Sequence, residues 1–419
     1  MVDSVFTLEL LALTKFAIQI HSDPDIKAFQ SKKQYFFRYM SAKEWEPVME
    51  KKISSLNLPM ILKKKVIALM QPISVQIDQW ALDHFSISKC IFEHLTEYVW
   101  KDNGTIDRLK TANNYIQCEN NNLVLRFLMA CVYWLEEEAK QLWGKMPETS
   151  RRRLDGTYIC PLSSRWQHAV KDWITFLKSG AVDWRKHSFS HPLSWYCQDT
   201  IIIQGNLLQQ LSPQDRLNVF KIMMKKNIPM QTKIFCLLKM SAEHFEEVIE
   251  KDPLHVFTGL CNWPLHRQFQ EMADRIFSLL NEQEFLEFLL EVICFKMYFA
   301  WMDCNYVELL NELWNRSPDY FKQYIATSEF FDILKMALNH DYKKPFQDRC
   351  PLVEIVGFRA KKVLYMAVPN RYCVVCSKAT VNKLPGKHCC IKNWYGGKHH
   401  SRGIPKQCGN VWCEKCKSY

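Results

Sequence analysis

Apolar side chains recur every three or four positions through most of the first 345 residues, the period of a helix with one buried face. Leu217, Phe220 and Met224 keep that spacing, and Phe245, Val248 and Ile249 share one face of another segment. Start signals agree with the pattern. Ser212-Pro213-Asp215 offers a capping hydroxyl, a proline for the first helical position and a carboxylate for the first turn. Ser317-Pro318-Asp319 repeats it before Tyr320 and Tyr324, while a helix opening near Ser241 is closed by Asp252-Pro253. Further breaks fall at Asp23-Pro24, Asn57-Leu58-Pro59, Asn103-Gly104, Met146-Pro147, His191-Pro192, Ile228-Pro229 and Trp263-Pro264. The pieces between breaks hold one helix or a helical pair, and no fixed-period repeat is present. The body therefore reads as all-α, an irregular helical array or solenoid-like stack.

Near residue 343 the period changes. Val353, Ile355 and Gly357, then Val363, Tyr365 and Ala367, alternate in steps of two around Arg359-Ala360-Lys361-Lys362, which predicts a two-stranded hairpin. Such a hairpin is marginal alone and needs a neighbouring segment to lean on. Three regions follow: an N-terminal helical lobe over 1–150, a central helical lobe over 151–345, and a C-terminal hairpin with a Cys/His-rich tail over 346–419. The first divide is expected in a loop-rich stretch from Arg151 to Ser190.

Composition supports helices, with only 12 Gly beside 16 Met, 14 Trp and 25 Phe in 419 residues. The amino end, MVDSVFTLELLALTKFAIQIHSD, carries Asp3, Glu9 and Lys15 within its apolar run and reads as an amphipathic helix rather than a signal peptide. Even Phe285 to Met302, the greasiest stretch, is interrupted by Glu287, Glu291 and Lys296, so no membrane partner and an intracellular location, cytoplasmic or nuclear, are expected. In that compartment the 17 cysteines stay reduced. Ten are scattered singly through the body and read as core thiols; seven crowd into the last 47 residues. Charge is equally uneven. From Arg371 onward ten basic residues face Glu414 alone, so +9 of the formal +11 lies there and +2 in the rest. Any nucleic-acid affinity must rest on that end.

No phosphate-cradling glycine loop, HExxH or nucleophile elbow stands out, and no catalytic residue is assigned. His187 and His191 read as exposed loop imidazoles, Glu136-Glu137-Glu138 as a solvated helix face, and Trp134, Trp143, Trp166, Trp173 and Trp184 as core. The tail differs. Cys373-x2-Cys376 sets two thiolates on one tight turn, and His388-x-Cys390 can complete a tetrahedron, the donor set of a structural zinc site. Such an ion would fold a segment too small for its own core. Cys408 and Cys413-x2-Cys416 could build a second site with His399 or His400, and a ribbon-like pairing of Cys373 and Cys376 with Cys413 and Cys416 also fits the spacing. Arg371, Lys387, Lys392, Trp394, Lys398 and Arg402 supply the charges and rings for salt-sensitive, non-specific nucleic-acid binding.

The run VEIVGFRAKKVLYMAVPNRYCVVCSKATVNKLPGKHCCIKNWYGG, about 45 residues, resembles an internal piece of the Mutator-like transposase domain. Cys373, Cys376, His388, Cys390, Asn393 and Gly396 carry the likeness. It implies an RNase H-like nuclease whose carboxylates hold divalent ions. This chain departs from that pattern on both sides. HDYKKPFQDRCPL stands where the first catalytic Asp would be expected, and Gly397-Lys398-His399-His400 replaces the downstream serines and Met-Glu pair. No catalytic residue carries over, and no transposase activity is expected without carboxylates to hold the ions. TANNYIQCENNNLVLRFLMACVYWLEEEAKQLW is loosely similar to uncharacterised helical proteins of arthropods, which implies no activity. The join near 345 reads as a helical host fused to a transposon remnant, or as a gene prediction that ran across one. The expectation is a non-enzymatic interaction or scaffold protein with an unidentified protein partner; the alternative is a transposon-derived DNA-binding protein or transposase.

Overall fold

The computed structural model describes residues 7–33, 42–54, 56–85, 97–155, 164–180, 201–203, 205–225, 228–297, 301–328 and 330–339. Helices dominate these residues, and their one β feature is an isolated antiparallel bridge between Trp100 and Ile106. None of the described helices is long and apolar enough to cross a membrane. The predicted hairpin and tail lie outside the described residues.

In chain order the helices are α1 (Leu8–His21), α2 (Pro24–Lys33), α3 (Ala42–Ser54), α4 (Met60–Phe85), α5 (Arg108–Gln117), α6 (Leu123–Val132), α7 (Glu136–Lys145), α8 (Glu148–Asp155) and α9 (Ser164–Ser179). There follow α10 (Gly205–Gln210), α11 (Pro213–Met223), α12 (Met230–Leu237), α13 (Ala242–Lys251), α14 (Pro253–Leu260), α15 (His266–Met272), α16 (Ile276–Leu279) and α17 (Glu282–Glu291). A π-helical turn, Val292–Met297, continues α17, and α18 (Tyr306–Arg316), α19 (Asp319–Ala326) and α20 (Phe331–Asn339) complete the series. Two compact units result. One comprises Met1–Asp23 with Val48–Phe285, the other Pro24–Pro47 with Leu286–Tyr419.

In the first unit, α6 is the organiser. Its sequence LVLRFLMACV is apolar on every side but Arg126, and every residue from Arg126 to Val132 is buried, as expected of a helix surrounded by others. Arg126 meets that burial by donating from Nε to the Ile116 carbonyl at 2.5 Å. α5, α7 and α9 pack around α6. Trp134, just past α6, holds φ at 58°, a left-handed conformation that costs a non-glycine residue about 1–2 kcal/mol. Its ring is buried edge-on against Trp173, 5.8 Å between centroids, and that packing offsets the strain. Trp166 and Trp173 are core residues of α9, and Trp143 packs against the same cluster, as their spacing predicted. Within the stretch from Arg151 to Ser190, expected to be a loop-rich divide, α9 forms over 16 residues, while residues 156–163 and 181–190, with Trp184 and His187 among them, lie outside the described residues.

The remainder of this unit follows its start signals closely. Ser212 caps α11, its hydroxyl accepting from the Asp215 N–H at 3.1 Å, with Pro213 in the first turn. Ser241 caps α13 in the same way through the His244 N–H at 3.2 Å, and Phe245, Val248 and Ile249 are its buried face. α12 and α14 approach closely at Gly259: a Cβ there would stand 2.6 Å from Leu237 Cδ1. In the second unit, α18 packs on the π-helical turn and on α20. Here one start signal is used differently. Ser317 ends α18, donating from its hydroxyl to the Trp314 carbonyl at 2.7 Å, and α19 begins behind Pro318 without a side-chain cap.

Candidate functional site

Among the described residues, chemistry-bearing side chains converge at two places. The first lies where α4 meets α5 and α6. Trp80 and His84, one turn apart on α4, stack with ring centroids 3.8 Å apart, and Tyr133 lies nearly parallel to the imidazole at 5.6 Å. His84 Nδ1 is 2.7 Å from the Trp80 carbonyl, which can only accept, so Nδ1 carries the proton. Nε2, 2.7 Å from the Tyr133 hydroxyl, therefore accepts from it. Beside them Arg108 forms a buried ion pair with Asp83, whose other oxygen accepts from Gln79 Nε2 at 2.8 Å.

Electrostatics hold this cluster neutral at its centre. Burial pushes the His84 pKa down to about 3, the Arg108 charge pushes the same way, and the bond to Trp80 opposes both. Burial also raises the Tyr133 and Tyr98 hydroxyls well above the usual phenol range, the Asp78 charge adding to the rise at Tyr98. His84 has no exposed surface, and both its ring nitrogens are engaged within the protein. A general base must reach the proton it takes. A cluster walled off in this way acts on the fold, by fixing how α4 and α6 register.

The second cluster is in the other unit. Lys296 sits in the π-helical turn, a form that often marks functional sites, and its ammonium lies 3.8 Å from the Trp301 ring centroid and 5.4 Å from that of Tyr306. The Tyr306 hydroxyl donates to Asp303 Oδ1 at 3.1 Å, and the Trp301 N–H donates to the Lys296 carbonyl at 2.9 Å. Cys304 is next in sequence to Asp303. Burial and then the Asp303 charge push its thiol up to about 11, so it stays protonated near neutrality and is a poor nucleophile. The lysine was legible only as an interruption of an apolar run; its aromatic enclosure was not.

The residues singled out for zinc, Cys373, Cys376, His388 and Cys390, with His399, Cys408, Cys413 and Cys416, all lie outside the described residues. So do Arg371, Lys387, Lys392, Trp394, Lys398 and Arg402. Among the described residues no group of three or more His, Cys, Asp or Glu side chains could hold a metal ion. Of the body cysteines described, Cys131, Cys236, Cys261 and Cys294 are buried, Cys304 is half-buried and Cys118 is exposed at the end of α5. Glu136 and Glu137, expected on a solvated face, pair with Lys140 at 2.6 and 3.4 Å on the surface of α7. Compared with family models, curated proteins and solved structures, the chain matches none.

Proposed function

We propose that this chain is a non-enzymatic, intracellular helical interaction protein with an irregular, solenoid-like body, whose C-terminal segment adds a zinc-stabilised hairpin with weak, non-specific affinity for nucleic acid. One observation carries the first half of this reading. His84, the centre of the larger cluster of the described helices, is turned into the core and bound there at both ring nitrogens, so that cluster is closed to a substrate. The second half is supported by sequence alone: Cys373, Cys376, His388 and Cys390 supply a thiolate-rich tetrahedron, and ten basic residues surround it.

Metal analysis of the purified full chain tests the zinc site. One zinc per chain is expected, two if His399, Cys408, Cys413 and Cys416 are filled as well, and one should be lost on Cys373→Ser or Cys390→Ser. A metal-free chain would sink it. Binding to a labelled oligonucleotide should weaken steeply with salt and fall when Lys387, Lys392, Lys398 and Arg402 are changed to Gln. The resemblance of residues 353–397 to the Mutator-like transposase domain favours a second reading, a transposon-derived DNA-binding protein or transposase. Strand cleavage dependent on magnesium or manganese would decide for that reading.

A further inference from the structure

The ends of α1 and α4 present a surface that the core does not account for. Both helices run the same way. Glu9 of α1 pairs with Lys65 of α4 at 2.6 Å, and further along both, Thr14 and Ile73 meet over Gly104. Their first turns consequently lie at one end of the pair. That end is unusually apolar for a surface: Leu8 is 85% exposed, Met60 67% and Ile61 66%. Pro59 beside them is exposed too.

Lysines border these side chains. Lys63, Lys64 and Lys65 follow Met60 and Ile61 after Leu62, and no acidic residue occurs from Asn57 to Lys65. Lys65 is offset by Glu9, whereas among the described residues the Lys63 ammonium meets no carboxylate and donates to the Ser54 carbonyl at 3.0 Å. Protruding Leu, Met and Ile beside uncompensated lysines fit a partner that is anionic on its face and apolar just beneath. A nucleic acid would use the lysines and gain nothing from Met60 or Ile61. An anionic bilayer surface uses both, the apolar tips entering below the headgroups while long lysine stems keep their charges among the phosphates.

We propose that the α1/α4 end is a docking surface for anionic membranes, with Met60 and Ile61 inserting and Lys63 and Lys64 meeting the headgroups. Contact of this kind lies in the interface and needs no spanning helix, so it departs from the expectation of no membrane partner, which rested on the want of a spanning run alone. It goes beyond the reading above and is independent of it, since it rests on helices far from the zinc segment in sequence.

The full chain should co-sediment with phosphatidylcholine vesicles containing about one-third phosphatidylserine at low salt, and not with phosphatidylcholine alone. Met60→Ser with Ile61→Ser should weaken vesicle binding by roughly tenfold or more while leaving oligonucleotide binding unchanged. Lys63→Gln with Lys64→Gln should weaken it by roughly 25-fold, about fivefold per charge. Met60, Ile61 and Lys64 are exposed and Lys63 is half-buried, and circular dichroism of the variants should match that of the parent. Three results would each overturn the proposal: vesicle binding that is absent or untouched by either pair; Lys63 and Lys64 variants that weaken vesicles and oligonucleotide alike while Met60 and Ile61 variants do nothing, marking a polyanion surface; and a change of oligomeric state in Met60→Ser with Ile61→Ser, marking a contact between copies of the chain.

Discussion

The Tyr133 hydroxyl donates to His84 Nε2 at 2.7 Å, tying α6 to a residue 49 positions earlier on α4. Because Nδ1 already donates to the Trp80 carbonyl, a second proton on the ring would meet an oxygen that is itself donating, with Arg108 close by. The folded state therefore holds His84 neutral down to about pH 3, while the unfolded chain protonates it near 6.5. Stability from this group is complete above pH 6.5 and lost as pH falls toward 3, at about 1.4 kcal/mol per pH unit and up to about 5 kcal/mol in all. Urea unfolding across that range should fall steeply in the parent and less steeply in His84→Leu. Equal slopes would show that the histidine is not the group responsible.

Asp83 and Arg108 make a buried pair with its own expected signature. Asp83→Asn leaves the half-buried Arg108 guanidinium without its carboxylate and should destabilise the protein by up to about 3 kcal/mol, whereas Asp83→Leu with Arg108→Met should cost much less than the single change. Equilibrium unfolding of both variants checks this. A double variant worse than the single would mean the pair contributes net stability.

Gly104 stands at φ 74° with room for no side chain, since a Cβ would lie 2.7 Å from Thr14 Cγ2 and 3.3 Å from Ile73 Cδ1 and Trp263 Cζ2. Gly104→Ala should lose about 1–2 kcal/mol to the left-handed backbone and a further 1–3 kcal/mol or so to crowding. Thr14→Ser in the same chain removes the clashing methyl and should restore part of the second loss and none of the first. Full restoration in thermal or urea unfolding would mean the backbone is not strained.

Much of the fold could be read directly from sequence, and the exceptions have physical causes. Ser212 and Ser241 cap helices where their neighbours predict. Ser317, with the same neighbours, ends a helix because its hydroxyl finds the Trp314 carbonyl of the preceding turn. Pro72 lies inside α4 although proline removes a backbone donor; every residue from Gln71 to Gln76 is buried, and packing on all sides holds the helix through the gap. At the sites, Cys131, Cys236, Cys261 and Cys294 were legible as core, whereas Cys118 is exposed, Cys304 is half-buried, and Cys90, Cys160, Cys197 and Cys350 lie outside the described residues. The His84 cluster was not, because Asp83, Arg108 and Tyr133 come from three helices and meet only after folding.

Lys296 offers a test of a charge held by rings. Its ammonium is 3.8 Å from the Trp301 centroid, close enough for a desolvated cation–π contact of about 1–2 kcal/mol. Burial of the charge opposes that gain, so single variants mix two effects. The coupling between Lys296→Met and Trp301→Leu in a double-mutant cycle isolates the contact and should be about 1 kcal/mol or more. Coupling near zero would leave the enclosure without energetic consequence.

Thiol accessibility should follow burial. Alkylation of the native chain near pH 8, read site by site by mass spectrometry, should modify Cys118 first, Cys304 slowly, and Cys131 and Cys236 only on unfolding, since burial raises the last two well above the usual thiol range. Early loss of Cys131 or Cys236 would contradict the packing of α6 or α12.

The pairing of α1 with α4 also has a consequence during synthesis. Lys65 is made 56 residues after its partner Glu9, and at roughly 5–20 residues per second that gap is about 3–11 s of translation. For that interval the apolar face of α1, with Leu13, Ala17 and Ile20, has no α4 to lie on. That face is thus bare only in the nascent chain and is covered in the finished protein.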